Sequence, residues 1–379
     1  KNKHIECTTF RTEADYTDGR HPVKVSYTAT IEEDLARRDF TMNAIAISLP
    51  DGIIVDPFNG RADIRAGRIQ TVGNPLDRFL EDGLRPVRAV RFAAQLGFTV
   101  DMRTLQAIPQ TLHITKKISI ERFREEFTKM LSCKTPLTSL RLMESTGLLN
   151  LFIPELTECR GVGQGSYHHF DVLDHSFLVC NACPAGMEHI HIRLAGLFHD
   201  IGKPAARKEA ADGSCTFYRH EAISEKMTRS IMRRLKYSNA EIEKTAHLVA
   251  EHMFHYDPSW TDAAVRRFIV RVGKENIDDL FALRKADVFG LTGAYAEPNF
   301  LVEFTARIDA LLKEDGAYSL KDLAVNGKDL MSIGIPAGKC LGLVLHDLLE
   351  TVLDDPAQNT KETLLPIASA LYERIQRFQ

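Results

Sequence analysis

One stretch, Arg78-Phe79-Leu80-Glu81-Asp82-Gly83-Leu84-Arg85-Pro86-Val87-Arg88-Ala89-Val90-Arg91-Phe92, constrains the fold more than any other. Read as helix, its period places Asp82, Arg85, Arg88 and Arg91 along one face. A carboxylate beside a guanidinium offers an acceptor and a planar fork of donors. That is a way to read the edge of a nucleobase, with further arginines left for phosphates. The same spacing also describes a solvated basic helix carrying an Asp–Arg surface pair, so the surroundings must decide. Pro86 adds a limit, because a proline inside a helix costs ~3 kcal/mol. The helix is therefore expected to start or kink near residues 82–86.

Upstream, the first 70 residues read as strands and turns. His4–Phe10 and Lys24–Thr30 are candidate strands, and Asp51-Gly52 between Ala44–Leu49 and Ile53–Val55 suggests a hairpin. From Asp77 the pattern turns helical. Apolar residues recur every three or four positions through Leu84–Phe98, Ile120–Leu131 and Leu137–Leu149. Pro154 and Gly161-Val162-Gly163-Gln164-Gly165 mark a boundary. Residues 166–290 carry ten of the 14 histidines on helical patterns, and a last helical segment runs from about 300 to 379.

The net charge of -3 is not that of a typical nucleic-acid binder, but its distribution is uneven. Residues 1–145 hold 22 Lys+Arg against 19 Asp+Glu, and the rest hold 26 against 32. Any basic surface is local, and an RNA ligand is compatible with the total. Seven scattered cysteines, with Cys180 and Cys183 the only close pair, give no disulfide framework or zinc spacing. That usage fits a reducing compartment and a cytoplasmic location. No apolar run reaches the ~18 residues of a membrane span. The chain enters an apparent strand directly after Lys1-Asn2-Lys3-His4, as though an N-terminal portion preceded it.

Glu33-Asp34-Leu35-Ala36-Arg37-Arg38-Asp39-Phe40-Thr41-Met42-Asn43-Ala44 gives the opening stretch its context. Arg37 and Arg38 can neutralise phosphates, and Asp39 and Asn43 can bond ribose hydroxyls. Together with Asp56-Pro57-Phe58-Asn59-Gly60 and Glu81–Phe92, in this order, the motifs of residues 1–160 resemble class II tRNA nucleotidyltransferases and the related bacterial poly(A) polymerases. In that family an EDxxR motif serves as a protein template for the incoming base. The resemblance implies that Asp82 and Arg85 read the base, with Glu81 holding Arg85. It also implies that Arg37, Arg38, Asp39 and Asn43 meet ribose and triphosphate, with Arg88 and Arg91 as phosphate or packing partners. The chemistry agrees: cytosine and adenine pair an exocyclic amine with a ring-nitrogen acceptor, whereas uracil and guanine would turn a carbonyl toward Asp82.

Two departures from the family pattern stand out. Pro86 occupies a position usually held by a larger aliphatic residue. The family's glycine-rich strand-turn and its DxD pair, which hold Mg2+ for phosphoryl transfer, are expected ahead of residue 1. Glu6 matches the strand after that pair and is the candidate third carboxylate.

A second constellation comprises His175, His199-Asp200 in Leu194–Lys203, and Asp287. Its order resembles the HD superfamily of metal-dependent phosphohydrolases over about 165–290. The resemblance implies these four as ligands of a divalent transition metal or Mg2+, a suitable set for imidazole and carboxylate. His220 and His252 fall where active members often place further histidines, and are expected as surface or supporting residues. In the last segment, Asn326-Gly327-Lys328 and Gly338-Lys339 precede helical patterns, where freed backbone N–H groups can approach phosphate. That stretch resembles the tail of the same tRNA enzymes, implying tRNA contacts at Lys328, Gly338 and Lys339.

The expected fold is α+β and mostly α. An incomplete polymerase-β-like nucleotidyltransferase head (1–70) leads to a helical neck with the template and RNA-binding region (71–160), an HD body (161–299) and a helical tail (300–379). The expected function is template-independent addition of C and/or A to tRNA 3′ ends from CTP and ATP, with Mg2+, beside an HD phosphohydrolase activity. The partners are then tRNA, CTP and ATP, and no membrane. Two alternatives are an HD metallophosphohydrolase with a vestigial transferase part, and a non-catalytic RNA-binding protein.

Overall fold

The structure is a computed structural model and describes residues 7–16, 22–165, 169–209, 215–294, 299–313 and 318–377. The chain parts into two compact units, Lys1–His252 with Ala282–Tyr295, and Met253–Phe281 with Ala296–Gln379. The glycine-rich stretch 161–165 lies inside the first unit, and residues 253–281 group with the tail rather than with the histidine-bearing helices.

In the first unit β1 (Arg11–Tyr16) and β2 (Pro22–Tyr27) pair antiparallel, Arg11 opposite Tyr27. Both lie a few residues from the strands read in the sequence. After α1 (Ile31–Ala36), β3 (Ala46–Ile47) and β4 (Ile54–Val55) form the expected hairpin, with Gly52 at φ 69° in its turn. Next come α2 (Gly60–Ala66) and β5 (Arg68–Ile69), and β5 pairs in parallel with β6 (Thr99–Val100). A parallel pair needs a crossover, supplied here by α3 (Pro75–Glu81) and α4 (Leu84–Leu96). Asn74 caps α3 by accepting from Leu76 N–H, with Pro75 in its first turn.

The opening stretch is therefore two helices. Asp82 stands between them with extended backbone (φ -137°, ψ 110°), so it does not share a helical face with Arg85, Arg88 and Arg91. Pro86 explains the break. It occupies the first turn of α4, where backbone N–H groups have no intrahelical partner to lose. Gly83 is the other cause, since a Cβ there would lie 2.7 Å from the Ile114 carbonyl oxygen.

The neck continues through α5 (Met102–Gln110), α6 (Leu112–Thr115), α7 (Ile120–Leu131), α8 (Leu137–Ser145), α9 (Leu148–Phe152) and α10 (Pro154–Thr157). Phe123 stacks on Phe127 and Phe152, with ring centroids 5.4 and 3.7 Å apart, beside fully buried Val87 and Val90. Then follow α11 (Val172–Ala182), α12 (Ile190–Phe198), α13 (Lys203–Ala206), the hairpin of β7 (Lys208–Glu209) and β8 (Cys215–Thr216), α14 (His220–Arg234) and α15 (Asn239–Glu251). Helices α11 and α12 are buried along most of their length, so His175 on α11 and His199 just after α12 are drawn inside.

The second unit holds α16 (Asp262–Val272), the first part of α17 (Ile277–Thr292), α18 (Asn299–Lys313), α19 (Gly327–Ser332), α20 (Lys339–Asp354) and α21 (Lys361–Arg377). Tyr256 stacks on Phe304 at 4.1 Å, and Phe268 packs on the same ring. Leu330, Val344, Leu348, Leu364 and Ala368 form a second core. Among the described residues no helix is long and apolar enough to cross a membrane.

Candidate functional site

The break between α3 and α4 gathers charged side chains from well-separated parts of the chain. Arg85 is buried, and its Nη1 donates to Glu81 Oε2 at 2.6 Å and to the Arg78 carbonyl at 2.9 Å. Its Nη2 donates to the Arg37 carbonyl at 2.9 Å. Arg78 Nη1 reaches the Ala36 carbonyl at 3.0 Å, and Arg88 Nε meets Asp39 Oδ2 at 2.8 Å. The two motifs, 42 or more residues apart at these contacts, are thus joined by three arginines of α3 and α4. Asp82 Oδ1 accepts from Leu84 N–H at 2.9 Å, and Oδ2 from Arg122 Nη2 at 2.8 Å. Each carboxylate oxygen has two lone pairs, so Asp82 keeps one on each for a further donor.

Several expected contacts prove to be already engaged. Arg37 and Arg38 both pair with Asp34, at 2.8 and 3.3 Å. Asp39 Oδ1 accepts from Asn43 Nδ2 at 3.0 Å and from Phe40 N–H at 2.9 Å. Burial opposes ionisation of Asp34, but the Arg37 hydrogen bonds, the Arg11 backbone N–H and Arg38 outweigh it and hold the carboxyl below its ordinary value. Arg91, expected as a phosphate or packing partner, turns into the neck. It is buried, bonds Glu126 Oε2 at 2.5 Å and Gln95, and lies 3.7 Å over the Phe92 ring. Its charge is spent on packing.

The histidine cluster has the opposite character. His175 Nε2 lies 3.1 Å from His199 Nε2, 3.4 Å from Asp200 Oδ2 and 3.2 Å from Asp287 Oδ1. His220 Nε2 lies 3.1 Å from Asp200 Oδ1 and 3.3 Å from His252 Nε2. His175, His199 and Asp287 form one triad of donor atoms, and Asp200, His220 and His252 another. His220 and His252, expected as surface or supporting residues, are therefore buried in the cluster itself. Gly290 permits the close approach, since a Cβ there would lie 2.8 Å from His175 Nδ1.

The hydrogen bonds fix which nitrogens face inward. His199, His220 and His252 each place Nδ1 within 2.7–2.9 Å of a backbone carbonyl, at Gly196, Phe217 and Val249. A carbonyl only accepts, so Nδ1 carries a proton in each, and wherever the ring is neutral Nε2 presents a lone pair to the cluster. In the second triad two such lone pairs converge on Asp200 Oδ1 with no donor among them. Neither oxygen of Asp200 accepts an aligned hydrogen bond, although Lys203 Nζ stands 2.6 Å from Oδ2. Burial opposes charge on His199, yet Asp200 and Asp287 raise its pKa to about 10, which puts a proton on its Nε2 as well at neutral pH, while burial and the His199 charge push His252 down to about 3. A cation with bonds of about 2.1 Å sets neighbouring donors about 3.0–3.4 Å apart, which the closest contacts match.

Against this geometry, the chain matches the family described as "Poly A polymerase head domain" over residues 1–70. It matches "Probable RNA and SrmB-binding site of polymerase A" over 97–160, and "tRNA nucleotidyltransferase domain 2 putative" over 215–368. It is 34% identical over 343 residues to the A-adding tRNA nucleotidyltransferase of Deinococcus radiodurans, covering 84% of this chain and 75% of that one. It is also 34% identical over 367 residues to the CCA-adding enzyme of Geobacillus stearothermophilus, covering 96% and 78%. The chain belongs to the class II tRNA nucleotidyltransferase/poly(A) polymerase family. The crystal structure of the Bacillus stearothermophilus CCA-adding enzyme in complex with CTP matches at a TM-score of 0.67, with 28% identity, over 98% of this chain and 78% of that one.

Within this family member, Glu6 lies outside the described residues. In the tail, α19 is not open to phosphate as its glycine suggested. The Asn326 side chain takes the N–H groups of Lys328 and Asp329, and the Asp329 carboxylate returns to Asn326 N–H. The start of α20 has no such cap, with Gly338 at φ 131° ahead of Lys339, and Lys328 and Lys339 are both exposed. Burial pushes the Cys159 and Cys180 thiols up to about 12, the state of packed, unreactive sulfur. Sequence reasoning missed Arg122. Forty residues from Asp82, in the first turn of α7, it gives no signal without the fold.

Proposed function

We propose that the protein adds C and/or A to tRNA 3′ ends from CTP and ATP without a nucleic-acid template, with Mg2+ as the cation of transfer. The observation that carries this reading is the joining of Glu81–Arg88 to Ala36–Asp39 by Arg78, Arg85 and Arg88. It supports reading Asp82 as the base contact beside a ribose- and phosphate-facing motif. Asp82 accepts from the exocyclic amine of cytosine or adenine, Arg85 supplies a donor for the ring nitrogen, and Glu81 keeps the Arg85 fork in place. Arg37, Arg38, Asp39 and Asn43 face sugar and triphosphate, and exposed Lys328 and Lys339 contact the tRNA body. Relatives named for A addition and for CCA addition both support the activity class. The test is to incubate the full-length protein with tRNA lacking its CCA end and labelled CTP or ATP. Incorporation of either label is expected, and absence of both rejects the reading.

The surplus of acceptors around Asp200 favours a second activity in the same chain. His175, His199, Asp200 and Asp287 would hold a divalent transition metal or Mg2+, with His220 and His252 extending the site on the other side of Asp200. When bound there, the cation supplies Lewis-acid activation for phosphoester hydrolysis. The protein's own part is to keep the donors dry and aligned through the Nδ1 contacts. Elemental analysis of the purified protein should find bound divalent metal, and hydrolysis of 2′,3′-cyclic nucleotides should stop with a chelator. Hydrolysis by a metal-free preparation would remove this assignment.

A further inference from the structure

The Asp82 carboxylate has a partner that no motif announces. Arg122 Nη2 donates to Asp82 Oδ2 at 2.8 Å, while Arg122 Nη1 is buried with no hydrogen-bond partner among the described residues. A buried guanidinium N–H without an acceptor retains the desolvation cost of a charged donor. Such orphans call for an explanation, and a ligand atom is one. The orphan here shares its guanidinium with the nitrogen that grips Asp82, so the acceptor it lacks is wanted at the site where a base would arrive.

Asp82 is held from two sides. Leu84 N–H fixes Oδ1, Arg122 fixes Oδ2, and at Gly83 the Ile114 carbonyl leaves no room for any side chain. A carboxylate clamped by two donors presents only acceptors to a ligand. An exocyclic amine satisfies the remaining lone pairs, and the carbonyl of uracil or guanine does not. Without Arg122 the carboxylate is free to rotate away from a mismatched carbonyl, and the penalty falls.

We infer that Arg122 is a third specificity-determining residue of the base-reading site: Nη2 aligns Asp82 as an acceptor, and Nη1 donates to an acceptor atom of the bound nucleotide. This rests on the reading of Asp82 as the base contact. It needs the planar fork of arginine, since two nitrogens of fixed geometry serve two partners at once. A lysine ammonium retains the charge and not that geometry.

The experiment compares full-length wild type, Arg122→Met, Arg122→Lys and Asp82→Ala. kcat and KM are measured for CTP, ATP, UTP and GTP on a tRNA acceptor, with thermal midpoint and tRNA affinity alongside. Arg122→Met should reduce the preference for CTP and ATP over UTP and GTP by about tenfold, chiefly through KM for CTP and ATP, with tRNA affinity unchanged. Arg122→Lys should keep the fold and still lose several-fold in preference. Arg122→Met with wild-type preference, beside an Asp82→Ala that loses it, overturns the role of Arg122 alone. An Asp82→Ala with wild-type preference overturns the reading of Asp82 instead. If Arg122→Met does not fold, Arg122→Lys decides, and wild-type preference in that variant overturns the inference.

Discussion

Around Asp82 the carboxylates face guanidinium groups: Glu81 meets Arg78 and Arg85, Asp82 meets Arg122, Asp39 meets Arg88, and Asp34 meets Arg37 and Arg38. Around Asp200 imidazoles dominate instead, with four histidines and two carboxylates converging, Lys203 beside Asp200 and Arg284 beside Asp287. The first arrangement is complete as a protein and keeps spare lone pairs for a ligand. The second, on the reading proposed above, is completed by a cation. Paired charges fix side chains in place, whereas surplus acceptors in a buried pocket carry a desolvation cost that a bound cation would offset. One unit of the chain holds both.

The strongest way to break the comparison is Asp200→Ala. Loss of supporting residues alone costs a metal site ~10–100-fold in affinity, and Asp200 faces both triads, so bound metal in elemental analysis should vanish. C and A addition should persist. Loss of both activities would show that the two regions are not independent. Next in size is Arg91→Met. Removing one partner of a buried ion pair costs about 3 kcal/mol, because Glu126 stays buried, with Lys129 at 3.4 Å as a partial substitute. Chemical denaturation should register that loss with base preference unaltered, as befits a packing arginine. Asp82→Ala should do the converse: discrimination against UTP and GTP falls by ~1–3 kcal/mol, while tRNA binding is retained. Unchanged selectivity would show that Asp82 does not read the base.

The sequence carried the chemistry of both regions better than their geometry. Leu84–Phe98 and Ile120–Leu131 were legible as helices because their apolar period is set by the core they pack against. The placement of Asp82 was not, because period alone continues a helix through Glu81–Leu84. Its interruption depends on the close approach of Gly83 to Ile114 and on the tolerance of a first helical turn for Pro86. His175, His199, Asp200 and Asp287 were legible as a set by order. The inward turn of His220 and His252 depends on carbonyls at Phe217 and Val249, which have no residue-level signature. Arg91 and Arg122 exchange roles for a related reason. The arginine on the suggestive helical face is drawn to Glu126, and the one on a distant helix reaches Asp82. Spacing ranks residues within an element, but contacts between elements assign their work.

The smallest expected effect concerns the edge of the reading surface, where Asp34 holds Arg37 and Arg38. Its folded carboxyl is depressed, so the stability it contributes is fully present above the unfolded value, ~3.9 for an aspartate. That contribution is lost as pH falls through the folded value. Asp34→Asn should therefore cost about 1 kcal/mol at neutral pH, with the gap between variant and wild type closing below about pH 4. Denaturant midpoints followed from pH 7 to pH 3 measure that convergence. A gap that stays constant to pH 3 would mean that Asp34 acts through its shape and backbone bond to Arg11 rather than through its charge. In that case the paired character of this region would stop at Asp39, and Arg37 and Arg38 would be available to the triphosphate without first leaving a carboxylate.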